Sequence, residues 1–129
     1  MKVKPLAKVE LFLGCSIACL SDAAKALEHE YYSPGDAIIK RGEIGSEMFV
    51  IGHGRVIVHS GDTVLVELGD DACFGEMALL QEETRNADIT AKSYCDLYKL
   101  PKSAFTELIK NHKDLAANAL RIVENRLAS

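Results

Sequence analysis

Eight of the nine glycines fall between Gly35 and Gly75, inside a zone running from about Tyr31 to Leu100. They separate short apolar segments: Ala37–Lys40, Met48–Gly52, Arg55–His59 and Thr63–Leu68, followed by Ala87–Ala91 and Cys95–Leu100. Glycines so placed supply turns with positive φ angles. Short strands at close spacing, joined by such turns, point to a small antiparallel barrel or sandwich. Val56–Val66 reads as a hairpin with Ser60-Gly61-Asp62 as its loop. The pair Ser60 and Asp62 is turn chemistry there, not catalysis.

The flanks have a different texture. Residues 5–30 carry helical spacing, with Ser21 as N-cap and Asp22 in the first turn of a helix through Ala23, Ala24, Ala26 and Leu27. Ser33-Pro34-Gly35-Asp36 then breaks the chain. From residue 101 helical spacing returns. Pro101 fits a first helical turn, Phe105, Leu108 and Ile109 share a face, and Leu115, Ala119, Ile122, Val123 and Leu127 share another after a break at Asn111-His112. The plan is helix, β-zone, two helices, without an internal repeat.

Length and charge narrow the classes. One domain fits 129 residues. The apolar share of 48% supports one sizeable core and argues against disorder. A net charge of −4 argues against a nucleic-acid binder. The run Val9–Leu20 is too short to span a membrane, and no cleavage site of small residues marks it as a signal peptide. Cys15, Cys19, Cys73 and Cys95 form no C-x-x-C pair and have no histidine at zinc spacing, so they read as buried reduced thiols of a cytoplasmic protein, with no metal. His29, His53, His59 and His112 are scattered, and no nucleophile–base pattern accompanies them, so no enzyme is expected.

The chemistry concentrates in Phe74–Ala87. Gly75 precedes one helical turn, Met77-Ala78-Leu79-Leu80, whose free N–H groups suit an anion. Arg85 follows just before a strand and can pair two phosphate oxygens. Glu76 repels phosphate but accepts hydrogen bonds from sugar hydroxyls. The three parts fit a sugar phosphate. From spacing alone a plain turn–helix–turn connector fits better, with Glu76 a first-turn acid and Arg85 a solvated charge.

This stretch resembles the phosphate-binding cassette of cyclic nucleotide-binding domains: F-G-E, a small apolar helix, then R-S-A or R-T-A. Tyr32-Ser33-Pro34-Gly35-Asp36-Ala37-Ile38-Ile39, Gly42–Ile51 and Gly54-Arg55-Val56 resemble further segments of that family in register, so the likeness runs from about Leu11 to Leu127. It implies an α+β fold, a jelly-roll-like, eight-stranded antiparallel β-roll with an N-terminal helix, a short phosphate-binding helix and two C-terminal helices. The whole chain, 1–129, is then one domain: 1–30 helical, 31–100 the β-roll with its cassette at 74–87, and 101–129 the C-terminal helices.

The resemblance also implies roles. Arg85 falls on the phosphate-pairing arginine and Glu76 on the glutamate that binds the ribose 2′-hydroxyl. Gly75 and Ala78 fall where backbone N–H groups meet phosphate or ribose, and Phe74, Met77 and Ala87 complete the cassette. Val64 and Leu65 lie on the strand that packs on the base. The last helix, about Lys113 to Leu127, is the lid, with Ile122 and Val123 as its apolar residues. Arg126 matches by spacing an arginine that caps the purine in bacterial potassium channels of this family. One position departs from the pattern: Asn86 stands where Ser or Thr is usual. Its amide can still donate to a phosphate oxygen. The missing threonine tilts the expected ligand to cyclic AMP over cyclic GMP.

The expectation is a cytoplasmic cyclic-nucleotide sensor closed by its C-terminal helix and attached to a membrane channel pore. No helix-turn-helix follows the lid, which argues against a transcriptional activator. The competing expectation, kept open by Asn86, is an interaction or assembly module with an altered site. Residues 70–88 hold six acids and one base, a local charge of −5 against +1 for the remainder. An anion bound there needs specific amides and Arg85, not general attraction.

Overall fold

In the computed structural model, residues 3–128 are described, without the side chains of 3, 4, 83 and 126–128. The N-terminal part is two helices, α1 (Val3–Ala7) and α2 (Ile17–Lys25), with a 3-10 turn at Glu10–Phe12 between them. Ser16 caps α2: its extended backbone ends the loop, and its Oγ accepts the Cys19 N–H at 3.1 Å. This corrects the expected start at Ser21, which lies inside the helix. Asp22 is therefore mid-helix, where it meets His112 Nε2 at 2.8 Å.

Ten strands follow: β1 (Glu28–Tyr32), β2 (Ala37–Ile39), β3 (Ile44–Gly45), β4 (Glu47–His53), β5 (Val56–Ser60), β6 (Thr63–Leu68), β7 (Cys73–Phe74), β8 (Glu83–Thr84), β9 (Asp88–Ala91) and β10 (Cys95–Pro101). Eight form two four-stranded sheets, ordered β1-β10-β4-β7 and β2-β9-β5-β6, and β3 pairs with β8. The described pairings are antiparallel. The fold is thus the expected α+β roll, with the β3–β8 ladder added. Between β7 and β8 sits α3 (Met77–Leu80), and α4 (Lys102–Asn111) and α5 (Lys113–Ala128) end the chain.

Two details differ from the sequence reading. β1 takes residues assigned to the helical flank. It is a sheet edge, so polar Glu28 and Glu30 are tolerated, and Lys99 on β10 pairs with Glu30 at 3.1 Å. Pro101 is the last residue of β10 and the N-cap of α4, with extended backbone (ψ 152°), not a first-turn residue. Strand ends tolerate a residue lacking an N–H.

Strand β4 divides the interior. Its side chains alternate, so Met48 and Val50 join Leu6, Phe12, Phe105 and Leu115 in a helix-side cluster. Phe49 and Ile51 instead meet Ile39, Val56, Phe74 and Leu97 between the sheets. That two-sided burial explains the unbroken apolar run Met48–Ile51. Among the described residues, no helix is long and apolar enough to cross a membrane.

Candidate functional site

Strand β7 delivers the chain to the site. Phe74 stacks on Phe49 with ring centroids 5.1 Å apart, and the next residue, Gly75, turns at φ +80° into α3. Burial of Ala78 and Leu79 anchors that single turn. The chain then returns through β8 against β3. Arg85 N–H donates to Glu43 O at 2.7 Å, and Gly42 N–H donates to Arg85 O at 2.9 Å. These bonds set the backbone from which the Arg85 side chain reaches across two glycines.

The guanidinium lies so close to both that neither has room for a side chain. A Cβ on Gly45 would sit 2.4 Å from Arg85 Cζ. One on Gly75 would sit 3.0 Å from Nη1 and 3.1 Å from Glu47 O. Arg85 Nη2 donates to Glu47 O at 2.9 Å. The arginine is thereby positioned by backbone on three sides before any anion arrives, so little side-chain entropy remains to be lost.

Beside it opens a cavity of about 200 Å³. The structure brings seven of the sequence-derived residues to its wall: Phe74, Gly75, Met77 and Ala78 from one arm, and Arg85, Asn86 and Ala87 from the other. Ile39, Val58, Thr84 and Ile89 complete it, and the sequence reading missed these four. Val58 had a legible signal, since it shares a face with buried Val56 two residues earlier. Ile39 and Ile89 meet only through the β2–β9 pairing.

Five of the other sequence-derived residues lie elsewhere: Glu76, Val64, Leu65, Ile122 and Val123. Glu76 lines a separate groove with Pro5, Lys8, Val9 and Cys73. There its carboxylate, secondary to burial, helps push the Cys73 thiol up to about 12. Ala78 N–H donates to Gly75 O at 3.2 Å, inside the turn. Val64 and Leu65 are exposed on β6. Leu65 is the extra residue of a bulge, because pairing jumps from Val58↔Val66 to His59↔Val64. Directly opposed residues share a face, so Val66, also exposed, stands on the face that Val58 turns to the cavity. The hairpin loop is shorter than expected, with Ser60 paired to Thr63 and Gly61 at φ +56°. Ile122 is buried in the helix-side cluster and Val123 is half-buried beside it in sequence. Arg126 belongs to α5, and its side chain lies outside the described ones.

One acid of this segment, Asp88, is held by backbone. Arg41 N–H donates to Asp88 at 2.9 Å, which, with a second amide at Gly61, holds that carboxyl below its usual range. Asp88 therefore stays ionised and occupied, a fixed part of the frame at the end of β9.

A family model described as cyclic nucleotide-binding domain matches residues 29–112. The chain is 39% identical over 111 residues to cyclic nucleotide-gated channel beta-3 of Mus musculus, covering 81% of this chain and 16% of that protein. It is 33% identical over 129 residues to cyclic nucleotide-gated channel alpha-2 of Bos taurus, covering 94% and 19%. The chain thus spans less than a fifth of these relatives. In fold it is similar to the N-terminal domain of a transcriptional regulator from Streptomyces coelicolor A3(2), with a TM-score of 0.82, 22% identity, and coverage of 96% of this chain and 90% of that one. It is likewise similar to the regulatory domain of Toxoplasma gondii PKA crystallised with cAMP, with a TM-score of 0.75, 24% identity, and coverage of 82% and 42%.

Proposed function

This chain belongs to the cyclic nucleotide-binding domain family, and from that premise we propose that it binds a 3′,5′-cyclic nucleotide in the cavity beside Arg85, cyclic AMP in preference to cyclic GMP. The observation that carries the reading is the Arg85 guanidinium, held by Gly45, Gly75 and the Glu47 carbonyl at the wall of that cavity. A guanidinium fixed at a half-buried wall suits one cyclic phosphate, with two oxygens paired. Asn86 offers its amide to the same anion. The apolar remainder, Ile39, Val58 and Ile89, gives the sugar and base a surface to pack on. Glu76 takes the ribose hydroxyl only if its side chain turns from its present groove.

The output is conformational, and no catalytic step is part of it. Ligand favours the state in which α5 lies over the base, and the shift is no larger than the difference in affinity between the two states. The relatives are named cyclic nucleotide-gated channels, which supports reading the domain as the cytoplasmic regulator of an ion channel, with the pore outside this chain.

Calorimetric titration of cyclic AMP and cyclic GMP into wild type and Arg85→Ala tests the reading. Loss of the arginine is expected to cost about 2–5 kcal/mol of affinity. Equal affinities would remove Arg85 from the site. Absence of binding in wild type would favour the interaction-module reading that Asn86 keeps open.

A further inference from the structure

Among the described residues, a cluster of metal-ligating side chains lies outside the cavity. Cys15 and Cys19 are free. Their sulfurs and a carboxylate oxygen of Asp114 all lie within 4.8 Å of one another. We propose that Cys15, Cys19 and Asp114 form a binding site for a thiophilic divalent cation of the zinc type, joining the start of α5 to the N-terminal cap of α2.

The donor set selects the ion. Two sulfurs and one carboxylate suit zinc, whereas calcium and magnesium require six or more oxygens or water ligands. A tetrahedral ion with bonds of about 2.0–2.3 Å holds its ligand atoms about 3.3–3.8 Å apart. Binding would draw the three atoms together to that spacing from the 4.8 Å or less at which they stand. Cys19 is buried, whereas Cys15 and Asp114 keep solvent access, so one side faces solvent and admits water as a fourth ligand. His112 is not the fourth, because it is turned to Asp22.

Neighbouring groups orient the ligands as outer partners of a metal site do. Ser16 N–H donates to Asp114 Oδ2 at 2.9 Å and Leu115 N–H to Oδ1 at 2.9 Å, which leaves lone pairs on both oxygens. Asn118 Nδ2 donates to Cys15 Sγ at 3.7 Å, a contact that favours a charged sulfur. A free cysteine is ordinarily a thiol at neutral pH. Binding therefore breaks two S–H bonds, forms two metal–sulfur bonds and releases two protons to solvent, with no change of oxidation state. The C-x-x-x-C spacing alone gave no third ligand, because Asp114 stands far along the chain.

A bound ion fastens α5 to the N-terminal part. If α5 is the moving lid, a consequence that rests on the proposed function, the ion opposes closure and weakens nucleotide binding.

The test is a cobalt(II) titration of the reduced chain, read by thiolate-to-cobalt charge-transfer and tetrahedral d–d absorption. One equivalent is expected, displaced by zinc. Cys15→Ser and Asp114→Asn are expected to bind it about tenfold or more weaker, and Cys73→Ser as wild type does, with circular dichroism confirming that each variant folds. No charge-transfer band in wild type, or unchanged affinity in Cys15→Ser or Asp114→Asn, would overturn the site. Calorimetry with cyclic AMP, with and without zinc, tests the coupling. Equal affinities would overturn the coupling and leave the site. Cobalt binding without any nucleotide binding would sink the proposed function and leave the site.

Discussion

Gly45 and Gly75 both border Arg85, yet they are glycines for different reasons. Gly45 has ordinary backbone, and the nearest atoms a Cβ there would meet are those of the guanidinium, the far end of a flexible side chain. Gly45→Ala is therefore expected to leave stability within about 1 kcal/mol of wild type while displacing Arg85. Cyclic AMP affinity should fall by about tenfold or more as the charge-assisted pair is lost. Gly75 sits at φ +80° against the Glu47 carbonyl, so Gly75→Ala adds a backbone penalty of about 1–2 kcal/mol. Urea unfolding beside calorimetry separates the two; equal stability losses would show that Gly45 is a backbone requirement too. The role of Gly45 was hidden in the sequence. Arg85 is 40 positions away, and only the β3–β8 ladder brings the two together.

At the scale of elements, the N-terminal part and α5 are joined by polar ties. Asp114 accepts the Ser16 N–H, the leading cause that holds its carboxyl below the usual carboxylate range. A depressed folded-state value means stability that is present above the unfolded value and lost as pH falls through the folded one. Asp114→Asn should therefore be less stable than wild type at neutral pH without metal. The gap should close as pH drops below about 4, followed by urea midpoints. A gap independent of pH would assign the tie to packing. The elements themselves were largely legible. Six strands follow from short apolar runs, four of them set apart by glycines, and the break between α4 and α5 from Asn111-His112. Strands β3, β7 and β8, two residues each, were not. A two-residue strand has no periodicity, and its existence depends on its partner. Helix α2 was misread at its start because Ser16 and Ser21 both offer a capping side chain, and only the bond to Cys19 N–H distinguishes them.

For the whole molecule, the proposed closure turns on what holds α5 in its present place. Asn118 Nδ2 donates to Leu13 O at 2.7 Å and to Leu11 O at 3.3 Å, and Ile122 is buried among the helices. If these contacts belong to the open state, Asn118→Ala weakens that state by about 1 kcal/mol. Cyclic AMP should then bind several-fold tighter. A weaker affinity in calorimetry would place the bond in the closed state instead. By itself the sequence determined short antiparallel strands between helical flanks, which follow from glycine turns and apolar spacing. The β-roll, the cassette Phe74–Ala87 and the role expected of its Arg85 came from the resemblance to a family, because spacing alone also fitted a plain connector. Only the tertiary structure decided that Gly45 and Gly75 wall in that arginine, that Ile39, Val58 and Ile89 join the cavity, and that Asp114 reaches Cys15 and Cys19. Each of these is a meeting of distant segments, set by strand pairing and helix packing, and local spacing carries no record of it.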